Sequence, residues 1–144
     1  MKKVLIAYES VKGHTEKMAN YIAEGGRMAG NDVDVKHIRE LKKEGDIQDY
    51  DAYFFGSPTY HRDMTNTMKT FLFLADKADL KGKIAGAFGS YTHSGDAPKL
   101  ILDTMAHVFH MKATDLSSLN LLEDKIDADE GMKACQQYGR AVTE

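Results

Sequence analysis

The sequence predicts an α/β fold: a doubly wound five-stranded parallel sheet of order 2-1-3-4-5, with helices on both faces. Three observations predict it. Continuous apolar runs at Lys3-Val4-Leu5-Ile6-Ala7-Tyr8, Ala52-Tyr53-Phe54-Phe55-Gly56 and Ile84-Ala85-Gly86-Ala87-Phe88-Gly89 have the pattern of strands buried on both faces. One run, Val33-Asp34-Val35-Lys36-His37, alternates apolar with polar, as an edge strand does when one face meets water. Between these runs lie segments of helical spacing, and right-handed crossovers then wind the strands into one open sheet.

Taken in order, the first helix follows from Met18, Ala19, Ile22, Ala23, Gly26 and Ala29, one inward stripe. Gly30-Asn31-Asp32 stops it before the alternating strand. Ile38 to Asp49 is charged and carries Gly45, so a short or irregular second helix is expected there. After the Ala52 run, Pro58 takes the chain out of the sheet. Met64, Met68, Phe71, Leu72 and Ala75 form the stripe of the next helix, which ends around Asp76 to Asp79. Asp96 is a candidate cap and Pro98 fits a first turn. The helix they open has the stripe Ala97, Leu100, Ile101, Met105 and Val108 and ends near His110. Met111 to Leu121 holds a weakly patterned last strand, and Ala128, Met132, Cys135, Gly139 and Val142 mark the final helix. Cys135 lies on that inward stripe and reads as a small core residue.

Length and composition narrow the function. At 144 residues, with 42% apolar and 28% charged residues, the chain is expected to be one ordinary globular domain. No apolar stretch approaches the ~20 residues that span a bilayer, and the five-residue apolar element after Met1-Lys2-Lys3 is too short for a signal-peptide core. No membrane insertion is therefore expected. A single cysteine cannot form an internal disulfide, which makes a cytoplasmic location the default expectation. The net charge of −3 argues against nucleic acid as a partner. Glu123-Asp124-Lys125 and Lys42-Lys43-Glu44 are mixed-sign runs and read as solvated surface.

The chemistry lies in the loops after the first, third and fourth strands, which meet beyond the carboxyl ends where such sheets bind ligands. The first, Tyr8-Glu9-Ser10-Val11-Lys12-Gly13-His14-Thr15, runs from a strand into a helix and can aim free N–H groups and a helix dipole at a phosphate. It is neither a Walker P-loop nor a dinucleotide fingerprint, so a monophosphate fits better. Its residues are also those that cap a helix for purely local reasons. Each loop has a serine soon after its strand (Ser10, Ser57, Ser90) and a threonine (Thr15, Thr59, Thr92), and two carry a tyrosine (Tyr60, Tyr91). Hydroxyls and amides suit a phosphate and a polyol chain, and flat side chains suit a stacked ring.

Tyr8 through Ala19, Gly56-Ser57-Pro58-Thr59 and Ala87 through Gly95 resemble the three FMN-binding loops of the flavodoxin family. They look most like those of the flavodoxin-like domain of flavodiiron proteins. By position, the resemblance implies that Ser10, Val11, Lys12, Gly13, His14 and Thr15 surround the FMN phosphate. It further implies that Ser57, Pro58, Thr59, Tyr60, His61 and Arg62 line one side of the isoalloxazine, and Ser90, Tyr91, Thr92, His93 and Gly95 the other. The implied function is FMN-binding electron transfer between redox protein partners, a reductase and an acceptor, with no catalytic side chain. The alternative is an FMN-dependent NAD(P)H:quinone oxidoreductase, which shares the fold and a similar first loop. Such enzymes usually carry a longer insertion after the fourth strand, for which Gly95 to Pro98 leaves little room.

This chain departs from the family at three places. Lys12 stands where a threonine or aromatic is usual, and either pairs with the phosphate or points to water. His93 stands where related domains often carry tryptophan. Arg62-Asp63 replaces a glycine of the second loop, and aspartate tolerates a left-handed backbone better than most residues. Arg62 near the ring is expected to favour an anionic reduced cofactor. Two other readings are weaker. His14, His61, His93 and Asp96 share one sheet edge but lack a metal-ligand spacing, and a phospho-accepting receiver domain would need an aspartate where Gly56-Ser57 stands.

Overall fold

The computed structural model describes residues Met1–Glu144. The chain runs β1 (Lys3–Tyr8), α1 (His14–Met28), β2 (Asp32–His37), β3 (Ala52–Gly56), α2 (Asn66–Lys77), β4 (Ile84–Tyr91), α3 (Asp96–His107), β5 (Lys112–Ala113), β6 (Leu119–Leu122) and α4 (Asp129–Thr143). All strand pairs are parallel, in the order β2-β1-β3-β4-β5, with β6 also paired to β4. The continuous apolar runs became the three inner strands, and the alternating run became the edge strand β2.

Strand alternation divides the core into two layers. Leu5, Ala7, Tyr53, Phe55, Ala85 and Ala87 face α2 and α3, while Val4, Ile6, Phe54 and Phe88 face α1 and α4. Each large side chain so buried contributes about 1.5–3 kcal/mol. On the second face the helices touch through backbone. A Cβ on Gly25 would lie 1.9 Å from the Gln136 carbonyl oxygen, and one on Gly139 would lie 2.0 Å from that of Ile22. Only glycine permits that approach.

Between β2 and β3, where a short or irregular helix is expected, the chain makes two single 3-10 turns, Ile38–Glu40 and Glu44–Asp46. Ile38, Leu41, Ile47 and Tyr50 are the apolar residues buried there, too few and too irregular for a helical stripe. A groove of about 600 Å³ remains between this segment and α2, with Ile38, Leu41 and Phe71 among its walls.

The last strand is interrupted. β5 pairs with Ile84 and Ala85, β6 with Phe88 through Tyr91, and residues 114–118 leave the sheet between them. The Ala87 N–H, left without a strand partner, donates to the Tyr138 hydroxyl (3.1 Å), which donates in turn to the Ser117 carbonyl (2.7 Å). One side chain from α4 thus fills the gap in the ladder. Burial pushes the Tyr138 hydroxyl up to about 12, so it keeps the proton it donates.

α3 ends at His107 rather than near His110, because His110 turns left-handed (φ 55°). Leu100 and Val108 are exposed, and the buried stripe is Ala97, Ile101, Leu102 and Met105. Gly95, not Asp96, is the N-cap. Cys135 is fully buried. No helix is long and apolar enough to cross a membrane.

Candidate functional site

Register aligns Tyr8 with Gly56 and Gly56 with Phe88, so the loops after β1, β3 and β4 emerge at one edge. Ser90 and Tyr91 themselves belong to β4, which runs on through its pairing with Leu121 and Leu122.

The first loop is shaped from within. The Ser10 hydroxyl accepts the Gly13 N–H (3.0 Å), and the Glu9 carboxylate accepts the Ser10 N–H (2.8 Å). Gly13 caps α1 with φ 95°. The space around it is open, so backbone conformation alone demands glycine there. No side chain caps α1. The N–H groups of Val11 and Lys12 find no partner in the protein, and those of the first helical turn have none within the helix. This is an anion nest backed by the positive end of a helix dipole. Thr15 is buried, its hydroxyl 2.9 Å from that of Ser90. Ser10, Val11, Lys12, His14, Thr15, Pro58, Tyr60 and Ser90 surround one narrow opening. Lys12 is exposed on its rim.

Two acidic residues that sequence reasoning missed complete the loop's surroundings. Glu9, with its side chain 13% exposed, receives the Ser10 N–H and the Thr67 hydroxyl and contacts His37 Nε2 at 3.1 Å. It ties the loop to the end of β2 and the start of α2. Glu123, read as solvated surface, instead lines the opening, its Oε2 3.8 Å from His14 Nδ1. A mixed-charge run carries no signal that one member turns inward.

In the second loop the hydroxyls are engaged internally. Ser57 Oγ donates to the Pro58 carbonyl (2.9 Å) and accepts the Thr65 N–H (3.2 Å). Thr59 Oγ1 accepts the Ala97 N–H (3.0 Å) and so caps α3 from a neighbouring loop. Tyr60 and Asp63 exchange backbone hydrogen bonds (2.8 and 3.0 Å) around His61 and Arg62, both left-handed with φ 51° and 64°. That is the geometry of a type I′ hairpin turn, usually built from Asn-Gly. The left-handed positions are therefore His61 and Arg62, and not Asp63. Asp63 instead pairs with Lys69 and accepts the Met64 N–H. Lys69 first, and then that N–H, hold its carboxyl below the usual aspartate range. The Arg62 side chain is 83% exposed, with Nε 3.5 Å from Asp96.

The third loop exposes Thr92 and His93 at its tip. Ser94 donates to Asp96 (3.0 Å), and Gly95 packs on Asn120, whose Oδ1 is buried without a partner. Tyr60 and Tyr91 are half-buried. Burial pushes the Cys135 thiol up to about 12, far from any nucleophilic form. The convergent chemistry is thus an anion cradle with polar and aromatic walls.

A family model for flavodoxin matches residues 6–136. The chain belongs to the flavodoxin family. A curated relative from Nitrobacter winogradskyi, named NAD(P)H dehydrogenase (quinone), is 34% identical over 138 residues, covering 79% of this chain and 69% of the relative. Among solved structures, a flavodoxin from the domain Archaea superposes with a TM-score of 0.89 at 29% identity, covering 98% of this chain and 96% of that one. The flavodiiron protein from Giardia intestinalis reaches 0.88 at 22% identity over 99% of this chain and 36% of its own, a likeness of fold alone.

FMN is the cofactor of the flavodoxin family, and the residues present fit its phosphate end. The open amides after Ser10 and the left-handed Gly13 are donors and geometry with no use inside the protein, and the buried His14 Nδ1 beside them has no hydrogen-bond partner.

Proposed function

We propose that this flavodoxin-family protein binds FMN at the three loops and carries electrons between a reductase and an acceptor. The observation that supports it most is the uncapped start of α1 with its unpartnered N–H groups. Bound FMN would supply the redox chemistry, and the chain's residues bind and tune it. The amides of Val11, Lys12 and the first turn of α1 hold the phosphate. The Thr15–Ser90 hydroxyl pair locks the first loop to β4. Tyr60 and Tyr91 offer flat faces to the ring, and Arg62 at the hairpin tip adds positive charge that favours an anionic reduced cofactor. Partners dock weakly at the exposed edge, where small interfaces are normal for electron transfer.

The second reading is an FMN-dependent NAD(P)H:quinone oxidoreductase, favoured by the name of the curated relatives. The short connections around β4, residues 81–83 and 92–95, favour the carrier. Purification followed by flavin identification and anaerobic mixing with NADH or NADPH separates the two. A yellow FMN-bearing protein that these nucleotides reduce poorly without a second protein supports the carrier. Fast turnover with a quinone selects the enzyme, and a colourless protein that ignores added FMN in calorimetry ends both readings.

A further inference from the structure

We propose that the phosphate pocket takes up a proton together with its ligand, held on His14 between the phosphate and the Glu123 carboxylate. The inference rests on the FMN reading above and goes beyond it, since it concerns how this chain reconciles an anionic ligand with an acidic wall.

Glu123 reaches the pocket from the segment between β6 and α4, its side chain only 19% exposed. A dianionic phosphate placed in the same small opening is repelled by that carboxylate. His14 is the group between them. It opens α1, lines the pocket, and holds Nδ1 buried, without a hydrogen-bond partner and 3.8 Å from Glu123 Oε2. A neutral imidazole donates at one nitrogen only, whereas an imidazolium donates at both. One added proton therefore lets His14 face the carboxylate and the phosphate together, and turns a row of repelling charges into an alternating one.

The other charged groups around His14 do not remove the conflict. Lys12 stands on the rim of the same opening, opposite in sign to the phosphate but free to extend into water. Lys17, one turn along α1, is paired with Asp127 from the lead-in to α4, and that carboxylate also lies within electrostatic reach of His14, adding a second negative charge on its side of the pocket. Tyr60 contributes the wall on the second-loop side. A phosphate at the start of α1 sets another anion beside His14, opposite Glu123, and an imidazole flanked by anions on both sides favours the protonated form.

Calorimetric titration of the flavin-free protein with FMN, in two buffers of different ionisation enthalpy, counts the proton directly. Measurements above pH 7 keep the phosphate ester dianionic, its second pKa being about 6. Net proton uptake on FMN binding is expected, with affinity falling by up to about tenfold per pH unit above neutrality. Riboflavin, which lacks the phosphate, should bind with no uptake. His14→Gln should abolish the uptake and flatten the pH profile. Glu123→Gln should reduce the uptake and tighten FMN binding at pH 9. FMN binding without proton uptake, uptake that persists unchanged in His14→Gln, or equal uptake with riboflavin would each overturn the proposal while leaving FMN binding intact. If neither flavin binds, the FMN reading falls first and this inference with it.

Discussion

α1 and α3 start at the same edge of the sheet, and each starts from a glycine, Gly13 or Gly95, that brings no capping side chain. The protein treats the two ends differently. α3 is capped from outside by the Thr59 hydroxyl, which accepts the Ala97 N–H. At α1, Thr15 turns its hydroxyl to Ser90 and leaves the first-turn amides open. A helix start satisfied by its own protein is structural, and one left open is ready for an anion. Loops equally rich in serine and threonine therefore differ in function according to which hydroxyls are already engaged.

The largest expected effect follows from distorting the open end. A left-handed φ costs a β-branched residue at least about 1–2 kcal/mol. Gly13→Val should therefore push the loop out of its cradle shape and weaken FMN by at least roughly fivefold to thirtyfold, measured by quenching of flavin fluorescence. Next comes a matched pair. Thr15→Val leaves Ser90 Oγ without its partner, and Thr59→Val leaves the Ala97 N–H unpaired, each costing ~1–3 kcal/mol in urea unfolding. Only the first should also weaken FMN. Equal losses of affinity in both would erase the distinction between the two helix starts.

A smaller gain is expected at the second-loop hairpin. Replacing its left-handed pair by the favoured one, His61→Asn with Arg62→Gly, should stabilise the fold by about 1 kcal/mol in the same assay. The smallest effect is acid-dependent. The Asp63 carboxyl sits below its ordinary value because of Lys69, so its contribution is present above about pH 4 and fades as pH falls through the folded value. Asp63→Asn should lower the urea midpoint at pH 7 and leave it unchanged once the wild-type carboxyl is protonated.

Much of this arrangement was legible in the chain itself. Val4 to Tyr8, Ala52 to Gly56 and Ile84 to Gly89 are apolar on both faces and could only be inner strands, while Val33 to His37 announced an edge by alternating. The hidden features depend on partners far away in sequence. Glu123 turns inward to a wall shared with His14, from the far end of the chain, and the last strand survives interruption because Tyr138 supplies the missing acceptor. Ile38 to Asp46 fails as a helix for lack of a stripe, which the sequence did foreshadow as irregularity. At the second turn, Asp63 is the residue that best tolerates a left-handed backbone, yet the Tyr60–Asp63 exchange places that conformation on His61 and Arg62.

The glycine contact between α1 and α4 reaches further than packing. His14 opens one of these helices and Glu123 precedes the other, so the gap between imidazole and carboxylate is set partly by how closely the two rods lie. Gly25, whose hydrogen abuts Gln136, is about 16 Å along α1 from His14. A single methyl group there would meet the Gln136 carbonyl oxygen at 1.9 Å and force the two rods apart, and the segment carrying Glu123 leads directly into the second of them.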